Sequence, residues 1–185
     1  MSDGATIAHA GDSAIVVRFA ERVDPSINAR ALQLGRAVAS WAIPGVRDIV
    51  PAFHTVTVHY DPLRTDLQAF VAQLERAVGE SQQEVRIATG RSVEIPVCYD
   101  EELGPDLPAV ASWANLSAAN VVTLHSGRSY RVYMLGFLPG FSYLGTVDER
   151  IAVPRLSTPR VHVPAGSVAI AGPQTGVYPL ETPGG

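Results

Sequence analysis

The sequence contains no lysine, a single cysteine and no apolar run long enough to cross a membrane. All 14 basic residues are arginines. The chain therefore cannot supply a Walker A lysine, a Schiff-base lysine, a biotin-attachment lysine or the lysine of a Ser-Lys amidase. Cys98 alone cannot form an internal disulfide, and the first residues do not resemble a secretory signal. These absences predict a cytoplasmic protein.

Charge and histidine spacing exclude two further classes. The formal net charge is −4, which predicts neither nucleic-acid binding nor attraction to an anionic membrane surface. The five histidines are scattered along the chain, so the sequence predicts no metal site. With 185 residues, of which 46% are hydrophobic, the chain is long enough for one substantial core or two small ones.

The first part of the chain predicts an α+β domain. Residues 12–80 have the pattern β-α-β-β-α, in which Asp24 and Pro25 form the usual N-cap and first position of a helix. Apolar and polar residues alternate over 55–60, as in a half-buried strand. One further strand would complete a ferredoxin-like sandwich. We therefore predict a ferredoxin-like βαββα domain over 1–82 and a polar linker over 83–91.

The rest of the chain, 92–185, predicts a domain rich in short strands. Half of all glycines and half of all prolines lie beyond residue 135, where they alternate with short β-type runs, a pattern typical of a small β-barrel. Cys98 is expected in the core. The predicted elements are a strand at 93–98, helices at 107–114 and 117–125, and strands at 128–135, 161–163, 168–171 and 177–180.

Six motifs are spread over nearly the whole chain. They are GDSAIVVRF (11–19), VHYDPLR (58–64), EIPVCYDEELGPDL (94–107), MLGFLPGFSYLG (134–145), VPRLSTPR (153–160) and VPAGSVAIAGPQTGVYPLETPGG (163–185). Together they resemble the family of 5-oxoprolinase B subunits. That family is also called allophanate hydrolase subunit 1 and includes Kip-type inhibitors of a sporulation histidine kinase.

The resemblance implies a fold and a function. It implies an α+β domain followed by a cyclophilin-like β-barrel, with further strands expected beyond Gly185. It also implies two partners, the 5-oxoprolinase C subunit with a related barrel and the lactam-utilisation A subunit. The assembled enzyme would open 5-oxo-L-proline to L-glutamate with ATP, accompanied by Mg²⁺, as co-substrate; biotin would have to be carried on another chain. The alternatives are a non-catalytic kinase inhibitor and a subunit of a urea- or allophanate-metabolising, carboxyltransferase-like complex.

The turn over 136–144 is the first candidate for a binding site. Its glycines allow close approach of the backbone to a ligand, and its aromatic rings would form walls. The alternative is a structural turn filled by aromatic side chains. The candidate residues in this turn are Gly136, Phe137, Pro139, Gly140, Phe141 and Tyr143.

Further candidates lie between residues 155 and 178. Arg155 and Arg160 are suited to a carboxylate or phosphate, or else are loop arginines paired with Asp148 or Glu149. The remaining binding candidates, which serve equally well as turn-stabilising side chains, are Gly166, Ser167, Gln174, Thr175 and Tyr178. Two histidines at positions shared with the family, His59 and His125, are the candidates for proton transfer, although the helix dipole alone favours a histidine at the predicted position of His125.

Overall fold

The structure, a computed structural model, describes residues 5–80, 87 and 90–184. The chain divides into two units, Met1–Gly90 and Arg91–Gly185. The linker predicted at 83–91 lies mostly outside the described residues, and the domain bounds 1–82 and 92–185 stay predictions. Within the described ranges, no helix is both long enough and apolar enough to span a membrane.

The first unit confirms the predicted β-α-β-β-α order and adds a strand before it. All neighbouring strands pair antiparallel, in the order β1-β2-β4-β3. A ferredoxin-like fold would take its fourth strand from the chain after the second helix, whereas here β1 occupies that edge beside β2. The elements are β1 (Thr6–His9), β2 (Ala14–Arg18), α1 (Pro25–Ser40), β3 (Val46–Pro51), β4 (Thr55–Tyr60) and α2 (Leu67–Glu80).

Local chemistry starts α1 at the predicted position. The Asp24 carboxylate accepts hydrogen bonds from the N–H groups of Ser26, at 2.8 Å, and Ile27, at 3.3 Å, so two amides without helical partners are satisfied. The hydrogen bond from the Ser26 side chain is the main reason that the pKa of Asp24 is lowered. Pro25 occupies the first turn, where its missing N–H costs nothing.

The core of the first unit follows the periods seen in the sequence. Val56, Val58 and Tyr60 of β4 are buried on one face of the sheet, as the alternation predicts. Apolar faces of α1 and α2 cover that face, and the Tyr60 and Phe70 rings meet edge to face at a centroid distance of 6.5 Å. The sheet and the two helices therefore bury one continuous hydrophobic cluster.

The second unit contains two helices and two antiparallel sheets. One sheet has the strand order β5-β6-β9-β8, and the other pairs β10 with β7. A short 3₁₀ turn spans Glu149–Ile151. The elements are α3 (Leu107–Ala114), α4 (Ala118–Ser126), β5 (Arg131–Leu135), β6 (Ser142–Gly145), β7 (Arg160–Val163), β8 (Val168–Ala171), β9 (Gln174–Val177) and β10 (Thr182–Gly184).

Two predicted strands of the second unit are wrong. Residues 93–98 are not in a strand, and Cys98 is exposed rather than in the core. Pro96 cannot donate a hydrogen bond to a neighbouring strand, and residues 93–98 pair with no strand of the described part of the chain. The strand predicted at 177–180 lies instead at Gln174–Val177, because the turn at Gly172, with φ +58°, starts the hairpin earlier and Pro179 interrupts it.

The four-stranded sheet separates two hydrophobic clusters. Ala111, Val121 and Ile151 are buried where α3, α4 and the 3₁₀ turn meet, and Ile170 of β8 packs against them. The other cluster contains Phe141, Val163 and Tyr178, with Tyr143 and Ala169 of the sheet packed against it. Ile170 and Ala169 are adjacent in β8 and therefore point to opposite faces.

We expect the Asp24→Ala variant to lose about 1 kcal/mol of the free energy of unfolding, because two amide groups at the start of α1 lose their acceptor. Chemical denaturation measures this change. Asp24→Asn is the matched control, since asparagine is an equally good N-cap. Equal stability of the alanine variant and the unaltered chain would contradict the capping role.

Candidate functional site

Four aromatic rings form the centre of the candidate site, on one face of the four-stranded sheet. Phe141 lies 5.0 Å from Tyr143 and 5.1 Å from Tyr178, measured between ring centroids, and both contacts are edge to face. Phe137 contacts Phe141 at 5.5 Å and Tyr178 at 6.4 Å. The structure therefore brings together four candidates that the sequence places up to forty-one positions apart. We call Phe137, Phe141, Tyr143 and Tyr178 the aromatic cluster.

Two glycines, one in β9 and one in β10, allow the rings of the aromatic cluster to pack against the backbone. A Cβ atom at Gly176 would lie 2.8 Å from Phe141 Cζ, and one at Gly184 would lie 2.5 Å from the Tyr178 hydroxyl. Both separations are too short for a carbon atom, so any side chain at either position would displace an aromatic ring. The glycine content of this segment is thus required by packing under the rings.

The turn between β5 and β6 positions Phe137. Leu138 N–H donates to the Gly136 carbonyl at 2.7 Å, and Phe141 N–H donates to the Leu138 carbonyl at 3.0 Å. Gly136 N–H donates to the Phe141 carbonyl. This backbone amide, predicted as a possible donor to a ligand, therefore already has a partner within the turn. Phe137 has φ +65° and leaves 59% of its surface exposed. A bulky residue in the left-handed region is uncommon and stores strain.

The remaining small candidates shape the edges of the cluster. Gly166 N–H donates to the Tyr178 carbonyl at 2.7 Å, and Tyr178 N–H donates to the Ser167 carbonyl at 2.9 Å. These bonds tie the turn before β8 to the end of β9. A Cβ atom added at Gly140, which has φ +84°, would lie 3.6 Å from Pro179 Cβ. Pro139 is exposed in the turn between β5 and β6.

The two predicted arginines have different surroundings. Both terminal nitrogens of Arg160 donate to the Asp106 carboxylate, each at 2.6 Å, and this hydrogen-bonded pair raises the pKa of Arg160. Arg155 is exposed, and its side chain makes no hydrogen bond or ion pair with the described part of the chain. The carboxylate of Asp148, one of the partners expected for these arginines, instead pairs with Arg150.

Adjacent residues of β9 point to opposite faces of the sheet. Gly176 faces Phe141, so Gln174 lies on the side of the aromatic cluster. Thr175 points the other way, where its hydroxyl meets His125 of α4 at 3.0 Å. The sequence predicted Gln174 and Thr175 for one site, and the structure separates them by the thickness of a sheet.

Hydrogen bonds determine which tautomer the neutral His125 ring adopts. Thr175 Oγ1–H donates to the Ala169 carbonyl at 2.9 Å, so Thr175 Oγ1 accepts from His125 Nε2–H. Nδ1 then carries no hydrogen and accepts from the Tyr99 hydroxyl at 2.7 Å. Burial lowers the pKa of His125, which keeps this tautomer neutral. The chain of donors runs in one direction, from Tyr99 to the backbone of β8.

Two tyrosines enclose His125. Tyr99 and His125 meet edge to face at 6.0 Å between centroids, and the Tyr130 hydroxyl donates to the His125 carbonyl at 2.7 Å. Desolvation raises the pKa of Tyr99 and raises the pKa of Tyr130 to about 12. All three rings are therefore neutral at physiological pH, and the arrangement favours a fixed hydrogen-bond chain over proton transfer.

A cavity of about 430 Å³ lies beside Tyr99. Two of its lining residues, Asp100 and Glu101, carry carboxylates, which repel the phosphates of a nucleotide or the carboxylate of an acidic substrate. This cavity therefore suits neither anion. The residues that line it are Tyr99, Asp100, Glu101, Gly104, Leu107, Pro108 and Ala118.

His59 lies in the other unit, where it is exposed on β4. It belongs neither to the aromatic cluster nor to the chain of donors through His125. Among the described residues, no three histidine, cysteine, aspartate or glutamate side chains come together as metal ligands.

Sequence reasoning missed two residues next to the candidates. Tyr99 was passed over although it follows Cys98 in the motif EIPVCYDEELGPDL, because its partner His125 is 26 positions away. Arg131 was passed over because an arginine in an alternating strand is usually solvated. Its side chain is half-buried, and Nε is buried without a hydrogen-bond partner among the described residues. The register of the strands, which pairs Arg131 with Gly145, was the missing information.

Comparison with known proteins gives one consistent result. Residues 5–185 match the family model described as carboxyltransferase domain, subdomain C and D. The 5-oxoprolinase B subunit of Bacillus subtilis (strain 168) is 41% identical over 189 residues, covering 97% of this chain and 78% of that protein. The protein of the same name from Escherichia coli O157:H7 is 42% identical over 176 residues, covering 95% of this chain and 78% of that protein.

A solved structure shares the fold. The crystal structure of TTHA0988 superposes with a TM-score of 0.79 at 44% identity. The match covers 93% of this chain and 33% of that one, so this chain spans about a third of the length of TTHA0988.

Gly176→Ala tests the packing of the aromatic cluster. The added methyl group would have to displace Phe141, and we expect a loss of about 1–3 kcal/mol in the free energy of unfolding, with an altered near-ultraviolet circular dichroism spectrum. Gly79→Ala makes the same chemical change at the end of α2, where nothing lies within 4 Å of the new atom. That control should be neutral or slightly stabilising. Equal effects of the two substitutions would contradict the packing argument.

The neutral state of His125 predicts a pH dependence of stability. Because its pKa is lowered in the folded chain from the ordinary value of 6.5, the unfolded chain binds the proton more tightly. The stability contributed by neutral His125 is complete above pH 6.5 and is lost as the pH falls through the folded pKa. We expect His125→Gln to be less stable at pH 7.5 and to flatten this acid limb, measured by chemical denaturation at several pH values. An unchanged limb would contradict the assignment.

Proposed function

The chain belongs to the family of 5-oxoprolinase B subunits and matches the family model of the carboxyltransferase domain, subdomain C and D. We propose that it is a subunit of an ATP-dependent 5-oxoprolinase. The reaction opens 5-oxo-L-proline to L-glutamate and forms ADP and phosphate. The observation that carries this proposal is identity of 41% and 42%, over nearly the whole chain, to two proteins that are named as the B subunit of 5-oxoprolinase.

The chemistry of a five-membered lactam defines what the enzyme must provide. The amide carbon is a poor electrophile, so ATP would phosphorylate the carbonyl oxygen and release ADP. Water would then add to that carbon, and the C–N bond would break as the nitrogen takes up a proton, which opens the ring to an acyl phosphate. A second water would hydrolyse the acyl phosphate to the glutamate carboxylate and inorganic phosphate. The site must hold the substrate carboxylate, position the nucleotide and stabilise negative charge that develops on oxygen. Fixed hydrogen-bond donors and walls that exclude water meet these demands.

The face with the aromatic cluster suits binding better than proton transfer. Its four rings form an apolar wall, and Gln174 adds an uncharged donor and acceptor beside them. His125, the other candidate for acid–base chemistry, is neutral and engaged on the opposite face. We infer that this chain contributes positioning groups and that the base belongs to a partner protein of the assembly.

The open edges of the four-stranded sheet support a partner. β5 and β8 each pair with one neighbour in the described part of the chain, and such edges offer N–H and C=O groups to further strands. We propose that these strands belong to a cyclophilin-like barrel, and that the C subunit of the enzyme, with its related barrel, closes the site. The lactam-utilisation A subunit would complete a cytoplasmic enzyme.

ATP is the co-substrate in this proposal. The described residues hold no set of three metal ligands, so Mg²⁺ would arrive bound to the nucleotide phosphates, as is usual for this ion. The chain has no lysine to which biotin could be attached. A carboxyltransferase-like reaction on urea or allophanate would therefore need biotin on another protein.

The kinase-inhibitor function is the second proposal that the sequence allows. The two named relatives favour the enzyme, since both are B subunits of 5-oxoprolinase. A pull-down with histidine-kinase dimerisation domains, together with an autophosphorylation assay of the whole kinase, separates the two proposals. Part of a lactam-opening enzyme has no reason to bind those domains or to change the rate of that reaction.

Reconstitution tests the enzyme proposal. We expect the chain, mixed with the A and C subunits, 5-oxo-L-proline, ATP and Mg²⁺, to release L-glutamate and phosphate in equal amounts, whereas the isolated chain releases neither. A coupled glutamate assay measures the reaction, and omission of ATP is the control. A well-folded assembly that forms no glutamate would overturn the proposal.

A further inference from the structure

We propose that Arg131 and Gln174 form a carboxylate-binding site across Gly145, on the face of the sheet that carries the aromatic cluster. This inference rests on the proposed function in one respect: the carboxylate that it assigns to the site is that of 5-oxo-L-proline.

Strand register places the two side chains on either side of a residue that has none. Arg131 of β5 is paired with Gly145 of β6, and Gly145 is paired in turn with Gln174 of β9. Directly paired residues of neighbouring strands point to the same face. Two strand spacings of about 4.8 Å put the Cα atoms of Arg131 and Gln174 about 10 Å apart. Gly145 is buried and contributes no side chain between them.

Neither side chain has a partner within the described ranges. Both residues are half-buried, yet the Arg131 guanidinium and the Gln174 amide make no hydrogen bond or ion pair there. Arg131 Nε is fully buried in this state. A half-buried cation without a counter-ion is costly, and polar groups left unsatisfied in a native fold require an explanation. A bound anion supplies one.

Other arginines of the second unit are arranged differently. Arg160 is held by Asp106 and Arg150 by Asp148, both through two hydrogen bonds between charged groups. Arg128 donates to the Thr146 carbonyl, and Arg155 is exposed. Arg131 therefore combines partial burial with an unused guanidinium, which none of these four does.

The two groups together select a carboxylate. A guanidinium donates two parallel hydrogen bonds to the two oxygens of a carboxylate, and the glutamine amide adds a neutral donor from the opposite side. The next residue across the sheet is also small, since Gln174 is paired with Ala171 of β8, which points to the same face. A compact organic acid suits a row of small residues better than the extended triphosphate of a nucleotide.

The aromatic cluster lies next to this row. Two residues further along β6 and β9 are Tyr143 and Gly176, which are paired with each other and lie under Phe141. An acid anchored between Arg131 and Gln174 would direct the rest of its body, a five-membered ring in the proposed substrate, toward the apolar wall. The site thus joins a charged anchor to a hydrophobic surface about 7 Å away along the strands.

Binding of two ligands that differ only at the carboxylate tests this inference. Isothermal titration calorimetry would compare 5-oxo-L-proline with 5-oxo-L-prolinamide, using the full chain alone and the chain assembled with the A and C subunits. We expect the acid to bind at least about tenfold more tightly than the amide. Arg131→Gln should abolish this preference, and Gln174→Glu should weaken binding of the acid by repulsion. Arg76→Gln and Gln68→Glu, both exposed on α2, make the same changes elsewhere and should leave the preference intact.

Stability separates a ligand site from a structural role. Removing a half-buried cation without a partner should leave the melting temperature of Arg131→Gln unchanged or raise it. If that variant does not fold, Arg131→Lys keeps the charge but loses the paired donors, and an intermediate preference for the acid is expected. The inference would be overturned if the acid and the amide bound equally tightly, or if neither the isolated chain nor its assembly with the A and C subunits bound them. An unchanged preference for the acid in Arg131→Gln or in Arg131→Lys would also overturn it.

Failure of the proposed function has a different signature. A preference for the acid that depends on Arg131, in an assembly that releases no glutamate, would overturn the enzyme proposal and leave the carboxylate site standing. Glutamate release with an unchanged KM for 5-oxo-L-proline in Arg131→Gln would do the reverse.

Discussion

The Phe141 ring packs directly on the backbone of β9 at Gly176, and this contact determines how the second unit is organised. A side chain at Gly176 would begin 2.8 Å from the ring, so only glycine permits the contact. Tyr143 and Tyr178 pack around the Phe141 ring at centroid distances of 5.0 and 5.1 Å. Phe137 contacts both Phe141 and Tyr178. Gly184 leaves matching space for the Tyr178 hydroxyl. The position of the apolar wall therefore follows from the absence of two side chains.

The same strand divides the chemistry of the second unit between two faces. Gln174 and Gly176 face the aromatic cluster, where Arg131 supplies a positive charge that has no counter-ion among the described residues. Thr175 faces His125 and extends a chain of neutral donors that begins at Tyr99. The cavity beside Tyr99 carries carboxylates, so the two faces differ in sign as well as in content. In our proposal an anion binds on one face, whereas on the other face His125 of α4 is hydrogen-bonded to Thr175 of the sheet.

Sequence patterns predicted the first unit better than the second for a physical reason. The helix after Asp24 and the alternation in β4 are local features, set by capping and by period, and both are confirmed. β1 was missed because four residues carry too short a pattern, and its position depends on pairing with β2. Residues 93–98 alternate like a strand but pair with none of the strands that the structure describes. Within the candidate site, the turn residues, Tyr143 and Tyr178 were predicted as candidates. Arg131 and Tyr99 were not, because their neighbours in space are distant in the chain.

The amino-acid sequence alone determined which residue types are available: arginine without lysine, glycine where rings must approach a strand, and the motifs that identify the family. It also determined the helices and several strands, since these depend on neighbours within a few residues. Only the tertiary structure decided that Gln174 and Thr175 serve different faces, and that Arg131 lies across Gly145 from Gln174. Those relations depend on strand register. Register is fixed by side-chain packing over the whole sheet. A slip of one residue moves every side chain of the strand to the opposite face.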